Sequence, residues 1–359
     1  MGKVSVQEIK ELMTATGVGM MDCEKALVEA DGDMDKAVEF LRENGMAKAA
    51  KKAGRIAAEG ICRAAITDGA GVVVEVNSET DFVAKNEVFQ GFVQSVADKA
   101  LASSLKGGKD GEDIETLLDQ AGLKEELVEK TATIGEKLSI RRFERVEGDI
   151  VVSYLHAGGK IGVLAAGTGA NDDAAKEALA NIAMQIAAMN PQYISRADMA
   201  EEEVAKLREI TVDSALNDPA SLPKPILNKL IEKAKDGVWS AEDVAIYEDK
   251  KSNMQYLFNF LSKEAAAQLV ELALADKDAI AGDKIFNGLV EGRVSKQLKE
   301  ICLLDQTYVK AEDGKQSVAK YLQSVNKDFT ISKFVRFEVG EGMEKKNEDF
   351  AAEVAAQLG

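Results

Sequence analysis

The sequence predicts an α+β protein in which a three-helix module precedes a duplicated core of antiparallel strands and helices. Three observations predict this class. Residues 1–45 show only the apolar spacing of helices, and residues 60–340 contain the order hairpin, helix and later strand twice. Residues 198–300 interrupt the second copy with a pattern that is helical almost throughout. A chain of 359 residues is also long enough for several domains.

The N-terminal module, residues 1–45, is predicted to contain three helices. The first has apolar residues at helical spacing and is closed by Gly17, because glycine favours the left-handed conformation of a helix end. Asp22 and Asp33 are predicted to be the N-caps of the second and third helices, and Gly45 is predicted to end the third. Since a core of this size is marginal, we expect the module to dock on another surface.

The core is predicted to consist of two halves with the same order of elements. Residues 46–59, rich in alanine and lysine, are predicted to be a partly helical linker. The first half, residues 60–148, has two apolar runs around a glycine-rich turn, which predict a hairpin, then a helix and a strand. The second half, residues 149–197 and 301–340, repeats this order. The two antiparallel sheets could pack into one core or stand as pseudo-symmetric halves.

Residues 198–300 are predicted to form an inserted helical arm, in the manner of an antiparallel helical hairpin or a coiled coil. In NMQYLFNFLSKEAAAQLVELAL, residues 253–274, the apolar side chains from Met254 to Leu272 form one helical stripe. The prolines of PASLPKP are predicted to break the helices that precede this stripe. An arm of this kind adds a surface for interaction with another protein.

Composition and charge argue against several classes of protein. The formal net charge of −17 argues against nucleic acid as the main partner, because phosphate binding needs a dense surface of lysine and arginine. The three cysteines are far apart, so neither a disulfide framework nor a zinc site is expected. No apolar run approaches the roughly 20 residues that cross a bilayer. We therefore expect a cytoplasmic protein with no membrane partner and no cofactor.

The sequence lacks the motifs of common catalytic sites. It has no GxSxG elbow and no GxxxxGK[ST] phosphate loop. Its one histidine, His156, precedes the turn AGGK, where a histidine is more often a turn or packing residue than a general base. Three aspartates at 31, 33 and 35 have the spacing of a calcium loop, but Lys36 occupies the position that needs glycine. We therefore expect neither a catalytic residue nor a metal site.

Two apolar features are candidates for contact with another protein. Met20 and Met21 are adjacent, and adjacent helical residues point about 100° apart. We expect one of them to be buried and the other free, although both could be buried between domains. Phe82 lies between an apolar strand and a helix whose inner face begins at Val88 and Phe89. The pattern alone favours burial of Phe82, whereas an exposed aromatic beside a carboxylate would be a candidate hot spot.

Beginning with TGVGMMDCEKAL (residues 16–27) and ETDFVAKNEVF (residues 79–89), many segments in order resemble the elongation factor Ts family, the guanine-nucleotide exchange factors of translation elongation factor Tu. TGVGMMDCEKAL and ETDFVAKNEVF are similar to the two signature segments of the family. Further similar segments are KAAKKAGRIAAEG, IGEKLSIRR, HAGGKIGVL, VEGRVSKQLKEICLLDQ and FVRFEVGEG. The resemblance covers about residues 1–215 and 284–359. It implies a ubiquitin-associated-like N-terminal domain, a duplicated α+β core, a coiled-coil arm and a C-terminal helical module at 341–359.

The resemblance implies that the protein binds elongation factor Tu, both GDP-bound and free of nucleotide. It would promote loss of Mg²⁺ and release of GDP so that GTP can bind, as an exchange factor without covalent catalysis. The segment near the partner's Mg²⁺ site would be Thr80, Asp81, Phe82 and Val83, with Phe82 as a wedge between helices of the partner. The other contact residues implied by similarity are Leu12, Met20, Met21, Ile134, Gly135 and His156.

Two other functions are compatible with the residues. In the first, the protein is a scaffold or assembly factor that works through the arm, and the TDFV loop is merely structural. In the second, it is an enzyme that uses His156 with nearby acids, a weaker hypothesis because nothing surrounds that histidine in sequence. Residues from about 218 to 280 exceed what shorter bacterial members of the family carry, and the arm could join two copies into a homodimer.

Overall fold

The structure is a computed structural model that describes residues 4–344, apart from the side chain of Gln255. Of the predicted C-terminal module at 341–359, residues 345–359 lie outside the described residues. Pro191–Thr307 form one compact unit, here called the insertion unit, and the described residues on either side form the other, here called the core unit. The protein is α+β, as predicted, and both of its antiparallel sheets belong to the core unit.

The core unit begins with a three-helix module. Its helices are α1 (Val6–Thr16), α2 (Met20–Glu29) and α3 (Met34–Lys52). A capping box between Ser5 and Glu8 starts α1, and the Asp33 side chain caps α3 as predicted. The helices surround a small apolar core made of Ile9, Leu12, Cys23, Ala26, Leu27 and Ala37.

The predicted N-cap of α2 is wrong. The helix begins after Gly19, which has no side chain to cap it. Asp22 lies inside the first turn, where a carboxylate interacts favourably with the positive end of the helix dipole. It also accepts a hydrogen bond from Nζ of Lys48 at 2.9 Å, so it joins α2 to α3 instead of capping α2.

The first core half has a central antiparallel sheet with helices on one face. Its elements are β1 (Glu59–Thr67), β2 (Ala70–Ser78), α4 (Asp81–Ala84), α5 (Glu87–Ala102), α6 (Ile114–Gln120), α7 (Leu123–Ile134) and β3 (Ser139–Glu147). The strand order is β1-β2-β3, so β2 pairs on both sides. Phe89 and Phe92 on α5 are buried against the sheet together with Phe143 of β3.

The second core half begins with the same order of elements. Its first elements are β4 (Ile150–His156), a 3₁₀ turn (Ala157–Gly159), β5 (Ile161–Thr168) and α8 (Asp173–Met189). β4 and β5 form an antiparallel hairpin. Asp172 caps α8 by accepting a hydrogen bond from the amide of Ala175.

The insertion unit is a compact helical bundle. Within Pro191–Thr307, where the whole backbone is described, the α-helices are α9 (Glu201–Leu216), α10 (Lys224–Gly237), α11 (Ala241–Lys250), α12 (Lys263–Ala275), α13 (Lys277–Ala281) and α14 (Lys284–Ile301). Short 3₁₀ segments are Arg196–Asp198, Pro219–Ser221, Lys251–Asn259 and Leu303–Asp305. A simple helical hairpin is therefore a wrong description, because these helices converge on one apolar core that includes Leu230, Trp239, Leu269, Phe286 and Val290.

The predicted stripe from Met254 to Leu272 is interrupted. Its first part is a 3₁₀ segment, and α12 starts anew after Ser262, whose hydroxyl accepts a hydrogen bond from the amide of Ala265. The carboxylate of Asp243 accepts the Ser262 amide at 2.9 Å and so stabilises the break. The side chains of Leu257, Leu261, Ala265 and Leu269 are nevertheless buried as the stripe predicted.

The chain returns to the core unit to complete the second sheet. Its last elements are α15 (Val318–Val325) and β6 (Thr330–Glu338). β6 pairs antiparallel with β5, so the order β4-β5-β6 repeats the order of the first sheet, in agreement with the predicted duplication. The two sheets share one apolar core, made of Cys62, Val73, Val146, Val151, Leu164, Ala166, Val335, Phe337 and Val339.

The predicted end of α3 at Gly45 is wrong, because the helix continues to Lys52 and includes the start of the predicted linker. Gly45 lies where α3 packs against α7. A Cβ atom at Gly45 would be 3.4 Å from Cβ of Ala132 and 4.0 Å from Cγ1 of Val128. The glycine is therefore a point of close approach between two helices, and its φ is not in the left-handed region.

We expect Gly45→Ala to keep the fold and to gain about 0.5–1 kcal/mol from the higher helix propensity of alanine. Gly45→Leu should lower the unfolding temperature, because a larger side chain would push α3 away from α7. Circular dichroism during heating would measure both. Gly91 is the matched control, since it is also within a helix but a Cβ there would meet nothing within 4 Å. Equal effects of leucine at the two positions would contradict the packing role.

We expect Asp243→Asn to destabilise the insertion unit by about 2 kcal/mol at neutral pH, because hydrogen bonds to a buried carboxylate are lost. Burial alone would raise the pKa of Asp243. The hydrogen bonds from Ser262 and Ser240 together outweigh this effect, so the pKa lies below its ordinary value. The stabilisation is therefore present above about pH 4 and lost as the pH falls through the lowered pKa. Urea unfolding followed by fluorescence of Trp239, the single tryptophan, reports on this unit.

The control for this experiment is Asp249→Asn, a change to an exposed carboxylate on the same helix. It should leave the unfolding midpoint nearly unchanged at both pH values. A difference between Asp243→Asn and the unmodified protein that is as large at pH 3 as at pH 7 would contradict the role assigned to the charge.

Candidate functional site

Phe82 is held outside the core by the short turn that follows β2. Its side chain is 80% exposed, while Phe89 and Phe92 behind it are buried. The turn is the helix α4, which is anchored inward by the buried Ala84. The chain then changes direction at Asn86, whose side chain accepts hydrogen bonds from two amides at the start of α5. The exposure that the family resemblance implied is observed, and the burial that the pattern alone favoured is wrong.

Charged groups surround the exposed ring. Nζ of Lys85 lies 2.6 Å from Oδ2 of Asp81 and 5.9 Å from the centre of the Phe82 ring. The hydrogen bond from Lys85, with the positive charge of Lys160 nearby, holds the pKa of the Asp81 carboxyl below its ordinary value. Val83 is half-buried and packs against the core, so this turn presents one aromatic ring beside an ionised carboxylate.

The loop after α7 supports this turn. Gly135 ends α7 in the left-handed conformation with a φ of 88°, and its amide donates to the carbonyl of Thr131. The next residue is Glu136, whose Oε2 accepts hydrogen bonds from the amides of Glu79 and Thr80 at 3.1 and 3.0 Å. Oε1 of Glu136 accepts the hydroxyl of Thr80 at 2.7 Å. The structure thus brings together the predicted segments 80–83 and 134–135.

The support is reciprocal and extends to the segment that follows α3. The carboxylate of Glu79 accepts the amide of Lys137 at 2.6 Å and a guanidinium hydrogen of Arg55 at 3.2 Å. Nζ of Lys137 donates to the carbonyl of Arg55 at 2.8 Å. Sequence reasoning missed Glu79, Glu136, Lys137 and Arg55 as parts of the site. The sequence signals were that Glu79 directly precedes the predicted contact residue Thr80 and that Glu136 and Lys137 directly follow the predicted contact residue Gly135.

The N-terminal module presents methionines but does not present Leu12. The Leu12 side chain is fully buried in the module core, so its predicted contact with a partner is wrong. Met20 and Met21 are both exposed, by 51% and 85%, so the prediction that one of them is buried is also wrong. They occupy the first turn of α2, beyond the core that begins at Cys23.

His156 lies at the exposed end of β4. Its Nδ1 is 3.1 Å from the hydroxyl of Tyr154, and across the described residues no carboxylate hydrogen-bonds to the imidazole. The following turn needs a left-handed backbone at Gly158, with a φ of 69°, and ends at Lys160, whose Nζ binds the carboxylate of Glu59. The positive charge of Lys160 acts on Asp81, so the end of the AGGK turn lies near the turn that carries Phe82.

Residues 4–344 contain no cluster of three or more histidine, cysteine, aspartate or glutamate side chains that could hold a metal ion. None of the helices in that part of the chain is both long enough and apolar enough to span a membrane. The exposed Phe82, Met20 and Met21 all belong to the core unit. An exposed phenylalanine and two adjacent exposed methionines are candidates for contact with another protein.

Comparisons with known proteins identify the family. A family model described as Elongation factor TS matches residues 79–341. Elongation factor Ts of Clostridioides difficile strain 630 is 42% identical over 369 aligned positions, which cover 100% of both chains. Elongation factor Ts of Clostridium perfringens, in strain ATCC 13124 and in strain 13, is 40% identical over 370 positions that cover 99% of each chain.

These matches assign the chain to the translation elongation factors. It belongs to the elongation factor Ts family, as its sequence segments implied, and it acts as a nucleotide exchange factor for elongation factor Tu.

Proposed function

We propose that this protein releases GDP from elongation factor Tu by inserting Phe82 beside the Mg²⁺ site of the GTPase, with Thr80, Asp81 and Val83 forming the rest of the contact. The observation that carries the proposal is the 80% exposure of Phe82 on a turn that is capped and supported from two sides. Loss of Mg²⁺ then weakens the binding of GDP, because the cation is the largest local charge between the phosphates and the GTPase. GTP can bind to the vacated site.

Exchange of this kind needs binding energy and no covalent step. The protein must bind the nucleotide-free GTPase more tightly than the GDP complex. Linkage then requires that it lowers the affinity of the GTPase for nucleotide by the same ratio. A 10⁴-fold weakening corresponds to roughly 5.5 kcal/mol of differential binding. Burial of one aromatic side chain supplies about 1.5–3 kcal/mol of this, and the backbone of the turn that carries Phe82 is already ordered by its own hydrogen bonds.

We propose that the N-terminal module forms a second contact through Met20 and Met21, which are exposed and flexible enough to adapt to an apolar surface. A three-helix arrangement of this kind supports the ubiquitin-associated-like assignment. Ile134 and Gly135 lie beside the Phe82 turn and would touch the same partner. His156 would make a peripheral contact at the neighbouring AGGK turn. Two contacts in one unit reinforce each other because the second forms intramolecularly.

We expect Phe82→Ala to slow GDP release from elongation factor Tu by about 100-fold relative to the unmodified factor, since ~3 kcal/mol of differential binding is lost. Release of fluorescent GDP measured by stopped flow would show this. The matched control is Phe260→Ala in the insertion unit, because Phe260 is another exposed phenylalanine (52%) and a lysine Nζ lies 4.7 Å from the centre of its ring. The control should leave the rate unchanged.

A second condition of this experiment adds excess chelator. Because the chelator removes Mg²⁺ without the factor, we expect Phe82→Ala and the unmodified protein to converge in its presence. No acceleration by the unmodified protein would sink the exchange mechanism. Loss of exchange activity in Phe260→Ala but not in Phe82→Ala would instead place the exchange surface on the arm and refute Phe82 as the wedge.

We expect Met21→Ser to raise the concentration of factor at half-maximal exchange about tenfold, since ~1.5 kcal/mol of apolar burial is lost. The maximal rate should change little, because the methionines would hold the partner without entering its nucleotide site. Titration of the factor in the same release assay separates the two quantities. Val28→Ser, a change to another exposed apolar residue of α2, is the control. A lower maximal rate with an unchanged half-maximal concentration would refute this division of roles.

A further inference from the structure

The carboxylate of Glu136 receives three hydrogen bonds from the segment that carries Phe82. Its Oε2 accepts the amides of Glu79 and Thr80, and its Oε1 accepts the Thr80 hydroxyl at 2.7 Å. Hydrogen bonds to an ionised acceptor are shorter and stronger than those between neutral groups. Glu136 thus fixes two successive peptide groups and one side chain immediately before the exposed aromatic ring.

The Thr80 hydroxyl transmits this constraint into α4. Because its proton is donated to Glu136, its oxygen is free to accept the amide of Val83 at 3.4 Å. That second hydrogen bond is the N-cap of α4. The direction in which Phe82 leaves the turn therefore depends on a hydroxyl whose orientation Glu136 determines.

The backbone on the other side of Glu136 is fixed as well. Gly135 turns the chain out of α7, and the amide of Lys137 donates to the Glu79 carboxylate at 2.6 Å. The two segments are thus joined by hydrogen bonds in both directions, from 79–80 to Glu136 and from Lys137 back to Glu79. A paired arrangement of this kind resists both translation and rotation of one loop relative to the other.

We propose that Glu136 is a positioning residue for nucleotide exchange: it sets the place and direction of Phe82 and does not itself need to touch the partner. This inference rests on the proposed role of Phe82. A misplacement of a reacting or wedging group by about 1 Å is enough to cost up to 100-fold in rate. Glu136→Ala should therefore impair exchange through Phe82 while leaving the ring available for binding.

Two substitutions of Glu136 separate the contribution of its hydrogen-bonding geometry from that of its charge. In Glu136→Gln the amide oxygen can still accept the two backbone amides, and the amide nitrogen can donate to the Thr80 hydroxyl. The neutral side chain should thus keep most of the geometry. Alanine removes all three hydrogen bonds at once. Glu129→Ala is the matched control, because Glu129 is a half-exposed acid on α7 whose carboxylate pairs only with the adjacent Lys130 among the described contacts.

The experiment is stopped-flow release of fluorescent GDP from elongation factor Tu, with each variant titrated to saturation. We expect Glu136→Ala to lower the maximal rate about tenfold and the half-maximal concentration to change by less than about threefold. Glu136→Gln should restore most of the rate, and Glu129→Ala should match the unmodified protein. The double variant Phe82→Ala with Glu136→Ala should be no slower than Phe82→Ala alone, since residues that act through one another are not additive.

An unchanged rate in Glu136→Ala, a glutamine variant as slow as alanine, or additive losses in the double variant would each overturn the inference while leaving the role of Phe82 intact. Failure of the unmodified protein to accelerate release would overturn the exchange mechanism itself, so the two failures are distinct. Circular dichroism would verify that each variant is folded. If Glu136→Ala does not fold, Thr80→Val removes the hydroxyl hydrogen bond to Glu136 but keeps the two backbone hydrogen bonds. A maximal rate equal to that of the unmodified protein would then refute the proposal.

Discussion

The interaction on which the core unit depends is a buried carboxylate between its two sheets. Glu75 lies on the central strand β2 and is fully buried. It accepts hydrogen bonds from Nε of Arg142 at 2.6 Å, from Nη1 of Arg141 at 3.0 Å and from the amide of Gly340 at 2.9 Å. A buried charge whose partners are removed costs several kcal/mol, so these groups hold the end of the second sheet against the first. Because β2 leads directly into the turn of Phe82, the same constraint fixes the base of the proposed contact surface.

Rigidity of that base explains why one exposed aromatic can be useful. A side chain that has to be ordered on binding loses about 0.5–1.5 kcal/mol of the interaction to conformational entropy. Around Phe82 the Thr80 cap and the contacts of Glu136 with the preceding amides already order the backbone in the free protein, so binding has to order only the exposed ring. The surface charge contributes differently: the ion pair of Asp81 and Lys85 is exposed to solvent, and such pairs add little stability. Its value in the proposed mechanism is therefore the orientation of charge toward a partner.

The order of the elements and their duplication could be predicted from the sequence, because apolar periodicity reports directly on which face of a strand or helix is buried. The ends of helices were less predictable. Gly45 has the residue type of a helix end but serves the close approach of α3 to α7, and Ser262 interrupts an unbroken apolar stripe. In both places the deciding contact comes from a distant part of the chain, Ala132 in one case and Asp243 in the other. Local propensity does not contain that information.

The same physical reason limits prediction of the site. Hydrophobicity alone assigned Phe82 to the core, since a phenylalanine beside an amphipathic helix is usually buried, and only the family resemblance indicated otherwise. The resemblance in turn named Leu12 as a contact, although this side chain is fully buried and fills the module core. It did not name Glu136, which is separated from Thr80 by 56 positions. A family signature preserves the residues that touch a partner together with those that shape the surface, and only the contacts in the folded chain separate the two groups.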